Sequence, residues 1–228
     1  NPVIWSPSDE RIKSSQMFKF IKNNNDKYNL DLNSFADLHS WSVNNKSDFW
    51  SSIWDFFEII GSKGNAPYVN PENQMPGSKF FPSGKVNYAE NMLSGYVSGA
   101  AIVFKSEDKI RKEISWKNLK LQVATLANFL LKQGLVKGDR VAAYMPNMPE
   151  TVIMMLATSS IGAIFSSASP DFGVDGVLDR FGQIKPKILL TTDGYWYNGK
   201  EVKIEYRPVT LSTMSNDVQS FPPKERVY

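Results

Sequence analysis

The sequence contains no cysteine and a single histidine, His39. Without cysteine there is no disulfide, no thiolate metal site and no cysteine nucleophile. That usage fits a reducing compartment. Any zinc site or Ser-His-Asp triad would have to be built around His39, and no residue near it supports either. No apolar run approaches the roughly eighteen residues of a membrane span. The opening NPVIWSPSDE has neither the basic start nor the apolar stretch of a signal peptide. It also lacks an initiator Met, so residue 1 is expected not to be the native start. Lys and Arg number 26 against 23 Asp and Glu, a net charge of +3, with no long basic block. The footprint of a nucleic-acid partner needs clustered charge, and this chain has none.

What is present is enough for a packed core. Of 228 residues 42% are hydrophobic, 13% aromatic and 21% charged, too apolar for a disordered chain. Up to about residue 95 the pattern is helical. SPSDERIKSSQMFKFIKN opens on a Ser/Asp cap signal and places Ile12, Met17, Phe20 and Ile21 near helical spacing. LDLNSFADLHSWSVNN and SDFWSSIWDFFEIIG read as two more helices, the latter with Asp48 and Gly61 as its caps. Residues 61–87, rich in Gly, Pro, Asn and Ser, read as a long loop. NYAENMLSG reads as a short helix ending at Gly95.

From residue 100 strands and helices alternate. AAIVFKS and KIRKEIS suit a hairpin. WKNLKLQVATLANFLLKQG carries a stripe of Leu119, Val123, Leu126, Phe129 and Leu130 and ends at Gly134. DRVAAYM, AIFSSAS and KILLTT read as strands, separated by the helices PETVIMMLATSSIG and GVDGVLDRFGQI. The expected fold class is α/β: a helical N-terminal leader, then a mostly parallel layered sheet covered by helices. Such sheets bind ligands beyond the carboxyl ends of their strands, where SSASPDFG and TTDGYWYNGK lie.

Several motifs have plain readings. Ser83-Gly84-Lys85 resembles the end of a phosphate-binding P-loop, but position 79 is Lys, position 86 is Val and no strand precedes it. Gly173, Gly176 and Gly182 lack dinucleotide-fingerprint spacing, which disfavours a Rossmann dehydrogenase. Asp171, Asp175 and Asp179 at i, i+4 and i+8 suit a solvated helix face better than a metal site, which needs converging ligands. The aromatic run Phe49–Phe57 suits a helix–helix contact, and His39, near Trp41, a structural role. At SSASPDFG, the small residues Ser166, Ser167 and Ala168 would let a ligand or backbone approach closely. The alternative there is a strand-to-helix turn with Asp171 as the cap.

SSASPDFGVDGVLDRFGQIKPK resembles the acetoacetate–CoA ligases, a branch of the AMP-forming acyl-CoA synthetase superfamily. So do WSPSDERIKSSQMFKFI, LHSWSVNNKSDFWSSIWDFFEI, MPGSKFFPSGKVNYAENML, KGDRVAAYMPNMPETVIMMLATSSIGAIFSS and DGYWYNGKE, in order and over roughly residues 5–200. The resemblance implies a cytoplasmic enzyme that makes an acyl-adenylate from ATP, with Mg²⁺, and acetoacetate, then passes the acyl group to CoA. It implies a helical region over 1–95, the first β/α subdomain of the AMP-binding domain over 96–200, and a divergent or truncated tail over 201–228. In related enzymes the strand end matching Phe165, Ser166 and Ser167 lies beside CoA, and a basic residue matching Lys200 meets its phosphates. A second basic position of those relatives falls on Tyr197. The superfamily's Ser/Thr/Gly-rich loop ending in Pro-Lys is not in the sequence, nor is its C-terminal catalytic lysine. The chain by itself is therefore expected to be inactive, with at most weak CoA affinity; the alternative is a non-catalytic binding or assembly module that keeps the ligase scaffold. The chain is also expected to expose apolar surface that the rest of such an enzyme covers and through which a second copy could associate.

Overall fold

The structure, a computed structural model, describes residues 4–95 and 98–204. The chain divides into two compact units, Asn1–Val86 and Asn87–Tyr228.

The first unit holds helices α1 (Asp9–Ser14), α2 (Gln16–Tyr28), α3 (Phe35–Asn44) and α4 (Lys46–Phe56). The predicted first helix is two helices. Ser15 takes an extended conformation (φ −68°, ψ 151°), ends α1 and caps α2 by accepting the Phe18 N–H at 3.1 Å. A serine that bonds its own neighbourhood competes with the helical ladder, which is how a periodic stretch is split. Ser34 starts α3 through a reciprocal capping box with Asp37. The expected caps of α4 are not those observed. Asn45 precedes it without a side-chain bond to α4, its side-chain amide donating instead to the Trp41 carbonyl at 3.1 Å, and the helix stops at Phe56, with Glu58 left-handed at φ 50° and Gly61 already in a strand.

Phe20, Ile21, Leu38 and Trp41 form the core of this unit. Phe49 and Phe56 meet Phe20 edge-on at 6.0 and 5.1 Å, so the aromatic run of α4 serves helix–helix contact. The expected long loop is a nested pair of short antiparallel ladders. β1 (Gly61–Ser62) pairs with β4 (Lys85–Val86), and β2 (Val69–Asn70) with β3 (Lys79–Phe80). Ser83 lies in the turn before β4, where its Oγ accepts the Asn65 N–H at 3.0 Å, and Lys85 belongs to the outer ladder, paired with Ser62.

The second unit opens with α5 (Tyr88–Leu93) and the antiparallel ribbon β5 (Ala100–Ser106) and β6 (Ile110–Ser115). Then come α6 (Trp116–Lys132), β7 (Arg140–Tyr144), α7 (Pro149–Ile161), β8 (Ile164–Ala168), α8 (Val174–Ile184) and β9 (Ile188–Thr191). A last hairpin pairs β10 (Gly194–Tyr197) with β11 (Lys200–Lys203). The parallel sheet has three strands in the order β8-β7-β9. β6 stays outside it: Ile110 to Glu113 are exposed, a pattern that suits a wet ribbon and not a strand buried on both faces.

The chain steps from β7 out to β8, then back past β7 to β9, so helices cover both faces. Val141 and Ile188 face the main core with α6 and α7. Ala142, Ala168 and Leu189 face α8, which is pinned by the fully buried Phe181. Gly162, left-handed at φ 80°, ends α7 and turns the chain into β8. Among the described residues no helix is long and apolar enough to cross a membrane.

Candidate functional site

The three parallel strands end together. Tyr144 of β7 lies level with Ala168 of β8 and Thr191 of β9. In open parallel sheets, ligands bind beyond the carboxyl ends of the strands, at such a reversal of strand order. Over these ends runs the loop 169–173 between β8 and α8. Tyr144 donates its hydroxyl hydrogen to the carbonyls of Pro170 and Phe172, the latter at 2.8 Å. Tyr195, on β10, donates to Asp171 Oδ1 at 2.9 Å, and Ser169 Oγ donates to the other carboxylate oxygen at 2.8 Å. The Arg180 guanidinium stands 4.1 Å above the Phe172 ring.

Partial burial, followed by the negative charge of Asp171, pushes the Tyr144 hydroxyl above its usual range. Burial and the bond to Asp171 do the same for Tyr195. Both phenols therefore stay protonated at neutral pH and act as donors. Asp171 is not the cap of α8. Gly173 holds that position without a side-chain bond, and the Asp171 carboxylate instead ties Tyr195 to Ser169.

The sequence-derived site residues fall around this loop. Phe165 and Ser167 share the sheet face of Val141 and Ala143, while Ser166 shares the opposite face with Ala142. Phe165 is half-buried against the main core, Ser166 is half-buried and Ser167 is exposed. Lys200 starts β11, exposed and directly across from Tyr197, so the ammonium and phenol share one face of the hairpin with Tyr195. Among the described residues no hydrogen bond links Lys200 to either serine. The hairpin is held at its turn, where Gly199 N–H donates to Glu107 at 2.8 Å and Lys109 lies over the Trp196 ring.

Other candidates separate from the site. Asp175 and Asp179 are exposed on α8, and among the described residues no three His, Cys, Asp or Glu side chains converge on a metal position. The donor set in view does not fit a divalent cation. His39 is exposed, its ring tilted beside Phe35 at 6.1 Å, which is a surface position and not a core one. The sequence did not single out Tyr144 and Tyr195. The usable signal was a tyrosine at the last position of a strand whose neighbour ends in a Ser-Pro-Asp loop.

Comparison with known proteins now decides the family. The profile of the AMP-binding enzyme family matches residues 94–226. The chain belongs to that family. It is 44% identical over 202 residues to the acetoacetyl-coenzyme A synthetase of Rhizobium meliloti, covering 89% of this chain and 31% of the relative. The acetoacetyl-CoA synthetase of Rattus norvegicus is 39% identical over 203 residues, covering 87% of this chain and 30% of the relative. A malonamoyl-CoA synthetase of Penicillium aethiopicum is 34% identical over 205 residues, covering 87% and 28%. Among solved structures, the acetoacetyl-CoA synthetase from Streptomyces lividans superposes with a TM-score of 0.83 at 33% identity, covering 94% of this chain and 33% of that one. The chain thus spans about a third of the length of the relatives it matches.

Proposed function

We propose that this chain is the N-terminal portion of an AMP-forming acetoacetate–CoA ligase. In the whole enzyme the acetoacetate carboxylate attacks the α-phosphorus of ATP and pyrophosphate leaves. The CoA thiol then attacks the acyl carbon and AMP leaves, giving acetoacetyl-CoA. The carrying observation is the extent of the likeness. The 202 residues matched to the Rhizobium synthetase cannot fit within 94–226, so the similarity runs into the helical leader, outside the part common to the AMP-binding family. Phe165, Ser166, Ser167 and Lys200 are the proposed CoA-side residues, with Lys200 as a flexible cation for phosphate.

The whole enzyme would work in the cytoplasm on small molecules, with ATP, CoA and Mg²⁺. The metal would be held outside the residues described. The proposed layout is a helical region over 1–95 and a β/α subdomain over 96–200. Most of the tail, 201–228, lies outside the described residues. Adenylation depends on N–H groups and cations arranged around the phosphates. The 228 residues, which lack the Ser/Thr/Gly-rich loop, would not perform it alone.

The likeness to a malonamoyl-CoA synthetase favours one second reading, a related acid with a carbonyl at the third carbon. The test is to express the open reading frame beyond Tyr228 and measure pyrophosphate release and thioester formation with acetoacetate and with malonamate. Acetoacetate-dependent turnover supports the proposal. Preference for malonamate selects the second reading, and turnover with neither refutes both.

A further inference from the structure

The loop 169–173 has little to hold it in place by itself. Pro170 has no N–H, Gly173 has no side chain, and α8 begins without a side-chain cap bond. Inside the loop a backbone bond runs from Phe172 N–H to Ser169 O at 3.2 Å. Ser169 Oγ bonds both the amide and the carboxylate of Asp171, and Arg180 of α8 covers the Phe172 ring; the remaining hydrogen bonds of the loop come from distant parts of the chain. Tyr144 is 26 residues before Pro170 and Tyr195 is 24 residues after Asp171. One hydroxyl reaches in from the end of β7 and fixes two loop carbonyls. The other reaches in from the β10–β11 hairpin and fixes the carboxylate, which Ser169 holds from its other side.

We propose that Tyr144, Tyr195 and Asp171 form a positioning clamp. It sets the loop and the adjoining Ser166–Ser167 strand end for the thiol substrate, CoA. The choice of ligand rests on the reading above, in which those serines lie beside CoA. The clamp itself rests on the hydrogen bonds alone. It also joins the two parts of the proposed CoA side, because Tyr195 shares its hairpin face with Lys200. The serines are held by the β7–β8 ladder, so losing the Tyr195–Asp171 bond frees the Lys200 hairpin from the loop that follows them, and misplacement of the lysine weakens a positioned ligand.

Two measurements test the two layers separately. The first is amide hydrogen exchange on the 228-residue chain, comparing wild type with Tyr195→Phe, Tyr144→Phe and Asp171→Ala. The amides of Asp171, Phe172 and Gly173 should exchange faster by about tenfold in each variant, the loss expected of roughly one net hydrogen bond. Unchanged exchange in this loop overturns the clamp. Tyr195→Phe removes a single oxygen from a half-buried ring, so it remains informative if Asp171→Ala does not fold. The second is steady-state kinetics on the whole ligase. The KM for CoA should rise about three- to tenfold, more than the KM values for ATP and the acid, with Asp171→Asn intermediate because it keeps an acceptor oxygen. A uniform rise across the three substrates, or no rise, overturns the positioning role. A selective rise for ATP or the acid overturns the CoA assignment while the exchange result stands.

Discussion

Phe181→Ala should undock α8 and leave the helical leader untouched. Phe181 is 1% exposed and is the only bulky side chain among the fully buried residues of its cluster, the other two being Ala142 and Ala168. A buried Phe removes about 200 Å² from water, worth roughly 5 kcal/mol as an upper bound at 25 cal/mol/Å². The facing alanines cannot grow into the vacated space, so a cavity term adds to the transfer loss. Phe→Ala changes of this type cost about 3–5 kcal/mol. Phe181→Leu keeps much of the volume and should cost about 1–1.5 kcal/mol. The assay is urea denaturation of the 228-residue chain followed by residue-resolved amide exchange. Amides of α8 and of residues 169–173 should lose protection. Those of α2 should keep it, because Phe20, Ile21, Leu38 and Trp41 form a separate cluster. A loss below about 1 kcal/mol would mean that α8 is held by something other than Phe181. An equal fall of protection in α2 would refute the independence of the two cores.

Three further outcomes follow from local geometry. Ser34→Ala removes half of the α3 capping box and should cost about 1 kcal/mol, read as a shift of the denaturation midpoint. Gly64→Ala should cost about 1–3 kcal/mol, because Gly64 has φ +72° and a Cβ there would sit 2.7 Å from the Ser83 carbonyl carbon. Asp55 takes ion pairs from Lys27 at 2.9 Å and Lys63 at 2.6 Å. Partial burial works against its charge, but the bonds from Lys63 and Lys27 outweigh it and hold the carboxyl below its usual range. A depressed folded-state value means that the contribution is complete above the unfolded value and fades as pH falls through the folded one, below about pH 4. Asp55→Asn should therefore flatten the acid side of the stability curve. The pairs are half exposed, so the loss near pH 7 should be only about 0.5–1 kcal/mol and should shrink in high salt. A loss of several kcal/mol there would show that they are buried more deeply than the structure has them.

Much of the fold is written in local patterns. Pro149 opens α7 and Gly162 closes it where the sequence puts both, and the stripe of α6 buries Leu119, Val123 and Leu130. The misses share a physical cause. Two-residue ladders such as β1–β4 are too short to show a period and depend on pairing across more than twenty residues. The split at Ser15 depends on whether one hydroxyl bonds Phe18 N–H or water, which composition does not decide. Phe129 belongs to the predicted stripe yet is 41% exposed, because helical periodicity names a face and not how far its cover extends.

The site shows the same limit more sharply. Ser166, Ser167 and the strand-end loop could be found because their chemistry is contiguous in the chain. Tyr144 and Tyr195 could not, because a phenol at the end of one strand and another in a later hairpin meet only when β7, β8 and β9 stop at a common level. That level is set by register. Val141 is opposite both Phe165 and Ile188, so each strand reaches its last residue three positions later, at Tyr144, Ala168 and Thr191. Slipping β8 by one residue would turn Phe165 from the main core toward α8 and bring Ser166 into its place. The apolar contacts of Phe165 and Ala168 therefore fix the register, and the register delivers the Asp171 loop to the tyrosines. A change at Phe165 should disturb the loop without touching it. Phe165→Ser, which makes Phe165 and Ser166 alike, should speed exchange at residues 169–173. If it weakens only the main core and leaves that loop protected, register is being held elsewhere.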